Sequence, residues 1–568
     1  MIYDIGTVRD RRSYLIELAF YMVFFVIILS GCNERVEIIE QWSECKADCS
    51  NEECSDDVGG GSCESFSDDR GFDGKSEYGD CDKDMEDECE TDLKRDSVHC
   101  SDYSNTCGEN AICNNGRCEC IEGYGNCDGD WSDGCEKRIS NRYMWSKGLR
   151  GYGNSVEVDK LGNIYIAGNF SGSSISPDKA NISSLYLVKF DMGGNYIWSR
   201  RFDENVDYYV SSLYIDYLGN IYVAGGFQSP TIDLGGGPLI NAGSSDIFLA
   251  KFDSNGNHLW SKRFGGENSD RCSSASVDSS GNVYITGDFG SSSINFGGNL
   301  LNGPGIFLAK FDRNGKHLWS KRFGREYDWS NSLSTDSSGN VYLIGIFWSY
   351  TIDFGGGELT RVGYGDIFLA GFDENGNHLW SKSFGGDGWD EGTCVSVDME
   401  GNVCITGWYD SSTIDFGGRV LSNVGSKDIF LAKFGRGGNL IWSKGFGGSS
   451  YEESSYIKAD LRGNIYITGY FAGTDISFGG DLLRNAGGRC GLRDICEDIF
   501  IAEFDKDGNH IFSERFGGMG SDKGSSIAID RSGYVILMGQ YSSDVLDFNG
   551  CNYLYNSDNL FLLKYLLP

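Results

Sequence analysis

From residue 141 to the end of the chain, short runs of apolar residues alternate with turns rich in Asp, Asn and Gly. Runs of this length, bounded by turn residues and lacking apolar residues at helical spacing, predict β-strands. Some of them, such as IFLAKF at Ile247–Phe252, are apolar on both faces. That character is expected where each sheet is packed between two neighbouring sheets. The pattern therefore predicts an all-β body with almost no helix outside the N-terminal leader.

The strands recur as a repeat of two halves. In the first half, of the type SVDSSGNVYITG, two strands flank an Asp-x-x-Gly-Asn turn, and in the second, DIFLAKF is followed by another turn and HLWSK. A repeat of this length with four short strands is typical of a propeller blade. The turn aspartates lie 57 to 70 residues apart, at Asp159, Asp216, Asp278, Asp336, Asp398, Asp460 and Asp530. The second halves begin at Leu185, Asp246, Gly305, Asp366, Asp428, Asp498 and Asn559.

The two ends of the repeat region complement each other. The seventh second half, NLFLLKYLLP, stops at Pro568 without a tryptophan strand, whereas RYMWSKGL at residues 142–149 precedes the first unit without a partner. We expect this N-terminal segment to supply the missing strand and to close seven blades into a ring that has no exposed sheet edge. An open solenoid would instead need capping repeats, and none is visible. The predicted fold is an all-β, seven-bladed propeller over residues 141–568, preceded by a small disulfide-rich module.

One tryptophan per unit occupies an equivalent position, and we expect it to be a large apolar plug between blades. These positions are Trp145, Trp198, Trp260, Trp319, Trp380 and Trp442, with Phe512 in the last full copy. In its turns, in the FGG after the tryptophan strand and in its period, the repeat resembles the SBBP β-propeller repeat of bacterial surface and secreted proteins. The resemblance covers residues 141–568 and implies a fold, with no particular activity.

The N-terminus resembles a bacterial lipoprotein signal peptide, which we place at residues 1–31. Three arginines precede the apolar run Leu18–Ser30, which is short for a membrane-spanning helix. The run ends in a lipobox-like Ser-Gly-Cys, which implies lipidation of Cys32 and export to a compartment where disulfides persist. Asn33 favours the outer membrane or cell surface as the destination. An uncleaved anchor helix and a plain secretory leader are the alternatives.

The region between the leader and the propeller is acidic and rich in cysteine. Residues 32–77 have little to bury and predict a tether, and residues 78–140 predict a small stapled module. Within it, residues 100–127 resemble an EGF-like module. That resemblance implies the pairs Cys100–Cys113, Cys107–Cys118 and Cys120–Cys127. Cys127 could instead pair with Cys135, as Cys81 could with Cys89, so the connectivity stays open.

Two acidic segments in this module follow the same C-D-x-D-x-x-D-x-C-E pattern. Alternating oxygen-bearing side chains in a short loop are typical of calcium sites, because a hard cation needs several oxygen ligands. Solvated acid in a disulfide loop is the competing interpretation. Calcium is the one cofactor that the sequence suggests, and none is required by it. The candidate ligands are Asp80, Asp82, Asp84, Asp87, Asn126, Asp128, Asp130 and Asp133.

Charge and histidine placement exclude several functions. A net charge of -35 argues against a nucleic-acid partner, since phosphate contacts need clusters of Lys and Arg. The propeller histidines all stand two residues before the tryptophan position, at His258, His317, His378 and His510. They are repeat features and poor candidates for a single general base. We therefore predict that the protein is not an enzyme.

Two sets of residues near the starts of the predicted inner strands are candidates for binding. Acids eight or nine residues before the turn aspartate would form a ring on one face, either as a ligand or cation site or by bonding backbone amides of the neighbouring blade. They are Asp207, Asp270, Asp328, Asp390, Glu452 and Asp522. Aromatic residues in the same loops suit glycan or protein recognition, or ordinary packing between blades. They are Tyr208, Tyr327, Trp329, Trp389 and Tyr451.

Two further disulfides are predicted in the propeller. Cys490 and Cys496 lie in an insertion of the longest unit, and Cys394 and Cys404 flank the Asp398 turn. Together these features predict an exported, lipid-anchored binding or adhesion protein that uses its propeller to recognise a glycan or protein ligand. A periplasmic scaffold of outer-membrane assembly and a polysaccharide-acting propeller enzyme are the alternatives.

Overall fold

The computed structural model of the chain has two compact units, Met1–Glu136 and Lys137–Pro568. In the second unit it describes residues 137–138 and 142–566, with gaps at residues 176–182, 205–207, 488, 491–493, 549–552 and 556–558. In the first unit it describes five short strand segments. These strands are Tyr78–Gly79, Thr91–Asp92, Ala111–Asn114, Arg117–Cys120 and Tyr124–Gly125.

The first unit contains two antiparallel ladders within its described residues. Tyr78–Gly79 pairs with Thr91–Asp92, and Ala111–Asn114 pairs with Arg117–Cys120, which sets Cys113 opposite Cys118. Cys32, the eight candidate calcium ligands and the side chains of Cys100, Cys107, Cys113 and Cys118 lie outside the described residues. The lipidation, calcium and EGF-like predictions therefore remain predictions.

The second unit is a seven-bladed β-propeller, counted over its described residues, and each blade is a four-stranded antiparallel sheet. The inner strands are Gly151–Val158, Tyr208–Ile215, Asp270–Val277, Trp329–Thr335, Asp390–Val397, Glu452–Ala459 and Asp522–Ile529. The second strands are Ile164–Ser171, Ile221–Phe227, Val283–Phe289, Val341–Phe347, Val403–Tyr409, Ile465–Phe471 and Tyr534–Tyr541. The third strands are Ser183–Phe190, Asp246–Phe252, Gly305–Phe311, Asp366–Phe372, Asp428–Phe434, Asp498–Phe504 and Leu560–Leu566. The outer strands are Tyr196–Glu204, His258–Phe264, His317–Phe323, His378–Phe384, Leu440–Phe446, His510–Phe516 and, in blade 7, Tyr143–Leu149.

Blades 2 to 7 each carry a small hairpin between their second and third strands. The hairpin strands are Thr231–Asp233 with Pro238–Ile240, Ser293–Ile294 with Leu301–Asn302, Thr351–Asp353 with Glu358–Thr360, Thr413–Ile414 with Leu421–Ser422, Asp475–Ile476 with Leu483–Arg484, and Val545–Asp547 with Tyr553–Tyr555. Blade 6 has an additional ladder of Arg489–Cys490 with Asp494–Ile495, and in blade 1 the four-residue helix Gly172–Ile175 follows the second strand. None of the described helices has the length and apolar character needed to cross a membrane.

We call the face at which the inner strands begin the upper face, and the face carrying the Asp-x-x-Gly-Asn turns the lower face. Each turn is held by its own aspartate. In blade 3, Asp278 Oδ1 accepts hydrogen bonds from Ser280 N and Asn282 N, both at 2.9 Å, and Oδ2 accepts one from Asn282 Nδ2 at 2.8 Å. Gly281 has a φ of 83°, which favours glycine. The spacing of Asp, Gly and Asn in the repeat follows from this geometry.

The tryptophan position joins neighbouring blades at the lower face. Trp260 of blade 2 donates a hydrogen bond from Nε1 to the carbonyl of Arg313 in blade 3, at 3.2 Å, and Trp319 repeats this contact with Glu374 of blade 4 at 3.1 Å. The tryptophan side chains are half-buried, and each packs against the turn between the third and outer strands of the next blade. Trp145 makes the same bond to Met192 of blade 1, at 3.3 Å.

Apolar side chains of neighbouring blades form clusters between the sheets. The cluster of blades 2 and 3 includes Ile247, Leu249, Val283 and Phe307, each with 0 % exposure. The prediction of strands buried on both faces is therefore confirmed for these residues.

One predicted disulfide is wrong. Cys394 and Cys404 are both free and buried. The register sets Cys404 opposite Ser396 and Cys394 opposite Thr406, so the two thiols are two positions out of step. Cys496 is disulfide-bonded, as predicted for that residue, and the side chain of Cys490 lies outside the described residues.

Candidate functional site

The predicted ring of acids lies at the start of the inner strands, but its side chains are inside the protein. Asp270 is 0 % exposed. Its Oδ2 accepts hydrogen bonds from Gly266 N at 2.7 Å and Ser291 Oγ at 2.8 Å, and its Oδ1 accepts one from Ser291 N at 3.2 Å. Each carboxylate thus ties the loop before its strand to the loop after the second strand. The other buried carboxylates with loop amide donors are Asp328, Asp390, Glu452 and Asp522.

In blade 2 the register gives the position of the ring acids to Tyr208. In blade 3, Asp270 stands opposite Phe289, and in blade 2 it is Tyr208 that stands opposite the corresponding Phe227. Asp207 lies nine residues before its turn aspartate, whereas the other five acids lie eight residues before theirs. Asp207 lies outside the described residues, so its membership of the ring remains a prediction. The side chains of Asp207 and Tyr208 lie outside the described residues.

Burial changes the acidity of these carboxyl groups. Burial raises the pKa of Glu452 to about 7, and the neighbouring Asp428 adds to this. Burial also raises the pKa of Asp390 to about 6. Because the groups are enclosed and bonded to backbone amides, a raised pKa here affects stability and gives no proton to a substrate at the surface.

The position that follows the ring position in each inner strand varies, with five residue types in the seven blades. We call this set the variable belt: Tyr152, Tyr209, Arg271, Trp329, Glu391, Glu453 and Lys523. The ring position, in contrast, carries a carboxylate in five of the seven blades. The fold does not require this position to be constant, and the position lies at the upper end of every inner strand. A recognition surface can therefore be built there.

Four tryptophans of blades 4 and 5 lie in contact along this belt, and we call them the tryptophan cluster. The ring centroids are 6.3 Å apart for Trp329 and Trp348, 4.9 Å for Trp348 and Trp389, and 5.3 Å for Trp389 and Trp408. Lys427 places its Nζ 3.6 Å from the centroid of Trp408 and 5.7 Å from that of Trp389. The cluster therefore combines aromatic surface with a cation held by cation–π attraction.

Charged groups continue the cluster toward blade 6. Lys427 Nζ lies 2.8 Å from Glu453 Oε1, and Tyr470 donates a hydrogen bond to Glu453 Oε2 at 2.5 Å. Lys523 of blade 7 places its Nζ 4.0 Å from the Tyr470 ring centroid. Tyr451, predicted as a binding aromatic, donates its hydroxyl to Glu497 at 2.6 Å.

The cluster also continues toward blade 3. Arg271 forms a salt bridge with Asp288 at 3.0 Å, and its guanidinium carbon lies 5.7 Å from the Trp329 ring centroid. Trp329, Trp389 and Tyr451 are thus brought into one contact network with the variable belt.

Three tyrosines beside the tryptophan cluster are exposed. Tyr327 is 64 % exposed and has a φ of 73°, Tyr350 is 74 % exposed, and Tyr364 is 73 % exposed. Tyr364 N donates a hydrogen bond to the carbonyl of Gly388, which places Tyr364 next to Trp389 in the fold. Sequence reasoning missed Trp348, Trp408, Tyr350 and Tyr364. Their departure from the repeat was the available signal, but they lie at the ends of second strands and in hairpin loops, away from the loops considered.

The inner strands enclose an axial channel with a cavity of about 230 Å3. Each inner strand has a bulge near its start, and polar bulge residues line the channel. Near the lower end, Lys458 of blade 6 forms an ion pair with Glu157 of blade 1 at 2.9 Å. Burial alone would lower the pKa of Lys458, but the Glu157 carboxylate raises it above its usual value overall. The described bulge residues of the lining are Ser211, Ser273, Asn331, Thr393, Ser455 and Ser525.

The histidines have structural partners. His317 Nε2 lies 3.1 Å from Ser320 Oγ, and its ring stands edge-on to Phe311 with centroids 6.0 Å apart. Where side chains are described, no group of three His, Cys, Asp or Glu residues is placed to hold a metal ion.

Comparison with known proteins agrees with the fold. Residues 259–288 match the family model described as a β-propeller repeat, SBBP. A curated relative, an uncharacterised WD repeat-containing protein of Acanthamoeba polyphaga mimivirus, is 21 % identical over 502 residues. The match covers 70 % of this chain and 36 % of the relative, so the chain spans about a third of that protein's length.

Two solved structures are similar to this chain at low sequence identity and low TM-score. The WD40 domain of Neurospora crassa Pan2 is 10 % identical, with a TM-score of 0.38, 73 % of this chain covered and 89 % of that chain. Sqt1 from Chaetomium thermophilum is 9 % identical, with a TM-score of 0.37, 76 % of this chain covered and 100 % of that chain. The described residues define the class as a seven-bladed β-propeller, and residues 259–288 are similar to the SBBP repeat.

Proposed function

We propose that this protein is a non-catalytic recognition protein that binds a protein partner through the variable belt and the tryptophan cluster. The observation that carries the proposal is the contrast between the two faces. The lower face repeats the same Asp, Gly and Trp contacts from blade to blade, whereas the variable belt on the upper face has five residue types in seven blades. Repetition is expected of residues that hold the ring together, and variation is expected of residues selected for one asymmetric partner.

The chemistry of the upper face supports a protein partner in particular. Trp, Tyr and Arg dominate the energetics of protein interfaces because they combine large area with few rotatable bonds or a forked donor. The belt and cluster supply all three, with Tyr350 and Tyr364 exposed beside them. Lys427 and Glu453 add one charge of each sign, which gives a partner electrostatic features to match.

The anchoring of the protein is part of the proposal. Lipidation of Cys32 would hold the propeller at a membrane outside the cytoplasm, at the outer membrane or cell surface, with residues 32–140 as a stalk. Incorporation of labelled palmitate tests this. Cells producing the native chain should yield a labelled protein in the membrane fraction, and Cys32→Ala should remove both the label and the membrane association. Labelling that persists in the variant would overturn the anchor.

Calcium binding by the acidic stalk segments is proposed on their oxygen-rich pattern alone. Asp80, Asp82, Asp84 and Asp87 would bind one ion, and Asn126, Asp128, Asp130 and Asp133 would bind another. Calorimetric titration of the full chain with Ca2+ should give binding that is lost when Asp82 and Asp128 are both changed to Asn. Equal heats for both proteins would contradict calcium sites in these segments.

Crosslinking from defined positions tests the upper face directly. A photoreactive amino acid would replace Tyr364 on the upper face or, as matched control, Leu461 on the lower face, which is 66 % exposed. We expect one crosslinked protein from position 364 and none from position 461. The product should also disappear when Trp389→Ala is added to the Tyr364 variant. Equal products from both faces, or a product insensitive to Trp389→Ala, would contradict the proposal.

Two further experiments test whether the propeller is displayed at the cell surface and whether its ligand is a glycan. Protease treatment of intact cells should remove the propeller if it acts in adhesion, whereas complete protection would favour a scaffold on the periplasmic side. A glycan array probed with the same variants would show whether the aromatic surface binds sugars instead, since stacking on Trp is common to both kinds of ligand.

A further inference from the structure

A lysine in the third strand of most blades joins two turns of the lower face. In blade 3, Lys310 pairs across the sheet with Tyr284 on one side and Trp319 on the other. Its Nζ lies 3.8 Å from Oδ2 of the turn residue Asp278 and donates a hydrogen bond to the carbonyl of Glu374 in blade 4 at 2.8 Å. The same Nζ lies 4.7 Å from the centroid of the Tyr284 ring. The corresponding lysines of other blades are Lys189, Lys251, Lys433 and Lys564.

The lysines of blades 5 and 7 contact equivalent oxygen atoms. Lys433 Nζ lies 2.9 Å from Asp398 Oδ2 and donates a hydrogen bond to the carbonyl of Lys506 at 3.1 Å. Lys564 Nζ lies 3.4 Å from Asp530 Oδ2. An ammonium group between a turn carboxylate and a carbonyl of the next blade is therefore a repeated feature of the lower face.

Blade 4 has Gly371 at the position of this lysine. Gly371 pairs with Tyr342 on one side and Trp380 on the other, which are the equivalent aromatic residues. The turn aspartate of the blade, Asp336, is 5 % exposed. Trp380 Nε1 donates a hydrogen bond to the carbonyl of Arg436 in blade 5 at 2.7 Å, and in blade 3 the tryptophan and the lysine share one such carbonyl. The two oxygen atoms that a lysine contacts in other blades are thus present in blade 4 without a lysine.

A buried tyrosine hydroxyl lies at the same place. Tyr342 is 0 % exposed, and its hydroxyl lies near Asp336 and Asn340 but has no hydrogen-bond partner among the described residues. In blade 3 the equivalent hydroxyl, that of Tyr284, donates to the carbonyl of Gly339 at 2.9 Å. Burial raises the pKa of Tyr342 to about 12, so the hydroxyl stays protonated at neutral pH and offers its oxygen lone pairs.

Blade 6 also lacks the lysine, but another side chain occupies the position. Glu503 Oε1 accepts hydrogen bonds from the hydroxyl of Tyr466 at 2.9 Å and from Asn464 Nδ2 at 3.0 Å. The tyrosine hydroxyl of blade 6 is therefore bonded, whereas that of blade 4 is not.

The side chain of Arg436 does not take the place of the lysine. It lies over Gly401 of its own blade, where an added Cβ would meet Arg436 Nε at 2.0 Å. Blade 3 has an arginine at the equivalent turn position, Arg313, and its carbonyl accepts a hydrogen bond from Lys251 of blade 2 at 3.1 Å. An arginine in this turn is therefore compatible with a cation at the lysine position.

The rings beside Gly371 lean toward each other. The planes of Tyr342 and Trp380 meet at 38°, whereas those of Tyr284 and Trp319 meet at 71°. A Cβ added at Gly371 would lie 3.1 Å from atoms of the Tyr342 ring and 3.3 Å from Trp380. The space that an aliphatic lysine chain needs is thus narrow, which favours a single ion over an alkylammonium ligand.

We propose that blade 4 binds a monovalent cation of the size of an ammonium group, K+ or NH4+, in place of the lysine. Its ligands would be Asp336 Oδ2, the carbonyl oxygen of Arg436 and the hydroxyl oxygen of Tyr342, since oxygen ligands suit hard cations. Asp336 Oδ2 accepts one hydrogen bond, from Asn340 at 2.8 Å, and retains lone pairs for the ion. One carboxylate matches one positive charge. The site is independent of the protein-binding proposal, because it lies on the lower face.

Thermal unfolding of the purified full chain in different chloride salts tests the site. At about 0.1 M salt, the midpoint in KCl or NH4Cl should exceed that in choline chloride by roughly 1–2 °C, as expected for one ion at about ten times its Kd on a chain of this size. Choline is too large for the site, so it controls for ionic strength. Equal midpoints in the three salts would overturn the proposal.

Two variants locate the ion. Gly371→Lys supplies a tethered ammonium, so its midpoint should be the same in KCl and in choline chloride. Tyr342→Phe removes only the hydroxyl and keeps the ring, and it should reduce the effect of KCl by about half or more. The matched control is Tyr284→Phe, the same change in blade 3, where Lys310 is present, and it should keep the full effect of KCl. An undiminished effect of KCl on Tyr342→Phe would place the ion elsewhere and contradict the proposal, even if Gly371→Lys did not fold.

Discussion

The backbone amide of Val156 donates a hydrogen bond to the hydroxyl of Ser526 at 3.3 Å, although 370 positions separate the two residues in the chain. The bond joins the inner strand of blade 1 to that of blade 7. The same contact joins Leu213 N to Ser155 Oγ at 3.1 Å, between blades 1 and 2. A serine hydroxyl thus connects the inner strands of blades 7 and 1 in the same way as it connects those of blades 1 and 2.

Removal of either hydroxyl should lower the free energy of unfolding by the same amount, whether it lies between blades 7 and 1 or between blades 1 and 2. Ser526→Ala and Ser155→Ala should each lower the free energy of unfolding by about 1 kcal/mol, because each leaves one buried amide without its acceptor. Chemical denaturation of the two variants measures the effect. A neutral Ser526→Ala beside a destabilising Ser155→Ala would show that blades 7 and 1 are not joined in solution.

Glu452 should make stability depend on pH. Burial raises its folded-state pKa to about 7, above the ordinary glutamate value, so the folded state holds the proton more tightly than the unfolded state. Its contribution to stability is therefore greatest below the unfolded pKa and is lost as the pH rises through about 7.

Glu452→Gln should mimic the protonated side chain. We expect it to raise the free energy of unfolding at pH 8 by on the order of 1–3 kcal/mol and to have little effect near pH 4. Denaturation over this pH range checks it, with the exposed Glu358→Gln as control. A variant whose stability parallels the native protein at every pH would contradict the assignment.

The ion pair in the axial channel should stabilise the fold only while both side chains are present, so removal of one should lower the free energy of unfolding more than removal of both. Lys458→Met leaves the Glu157 carboxylate without its cation in the channel, and we expect a loss of about 1–3 kcal/mol. Adding Glu157→Gln should restore much of that loss, because no uncompensated charge remains. Additive losses in the double variant would mean that the two side chains do not interact.

The three free cysteines among the described residues of the propeller should be unreactive while the protein is folded. Burial raises the pKa of Cys272 and of Cys404 to about 12, and it also raises that of Cys394. Since the thiolate is the reactive form, N-ethylmaleimide should label these residues only after denaturation. Peptide mapping of native and denatured samples measures this, and rapid labelling of Cys404 in the native sample would contradict its burial.

The architecture was predictable because the information is repeated. The Asp278 turn alone predicts a hairpin, and its recurrence at a near-constant period predicts a blade. The period does not reveal why copies differ. Phe512 replaces tryptophan in blade 6, and its ring stacks against Tyr565 with centroids 6.0 Å apart and Arg142 4.5 Å from its centroid. These contacts join Phe512 to two segments that are far apart in the chain, so the sequence of one unit cannot show them.

The candidate site was predictable only in part, because the repeat does not reveal burial or the contacts between blades. The acids at the starts of the inner strands were found by position, but whether Asp270 faces a ligand or backbone amides depends on its burial. Trp389 was found as a departure from the repeat, yet its contacts with Trp348 and Trp408 arise from packing between two blades and within one. Cys394 and Cys404 appeared to face each other because they flank a turn, but the turn pairs Val397 with Val403, and this register sets Cys404 opposite Ser396 and Cys394 opposite Thr406.

Hydrogen exchange of the segment Tyr143–Leu149 tests most directly whether the ring is closed by the strand that precedes blade 1. In the structure this segment pairs with Leu560–Leu566 and sets Trp145 opposite Lys564. Exchange followed by mass spectrometry should find its amides as protected as those of the outer strand His317–Phe323, which belongs to the uninterrupted blade 3. Complete exchange of residues 143–149 within the shortest labelling time, while residues 317–323 stay protected, would contradict the closed seven-bladed ring.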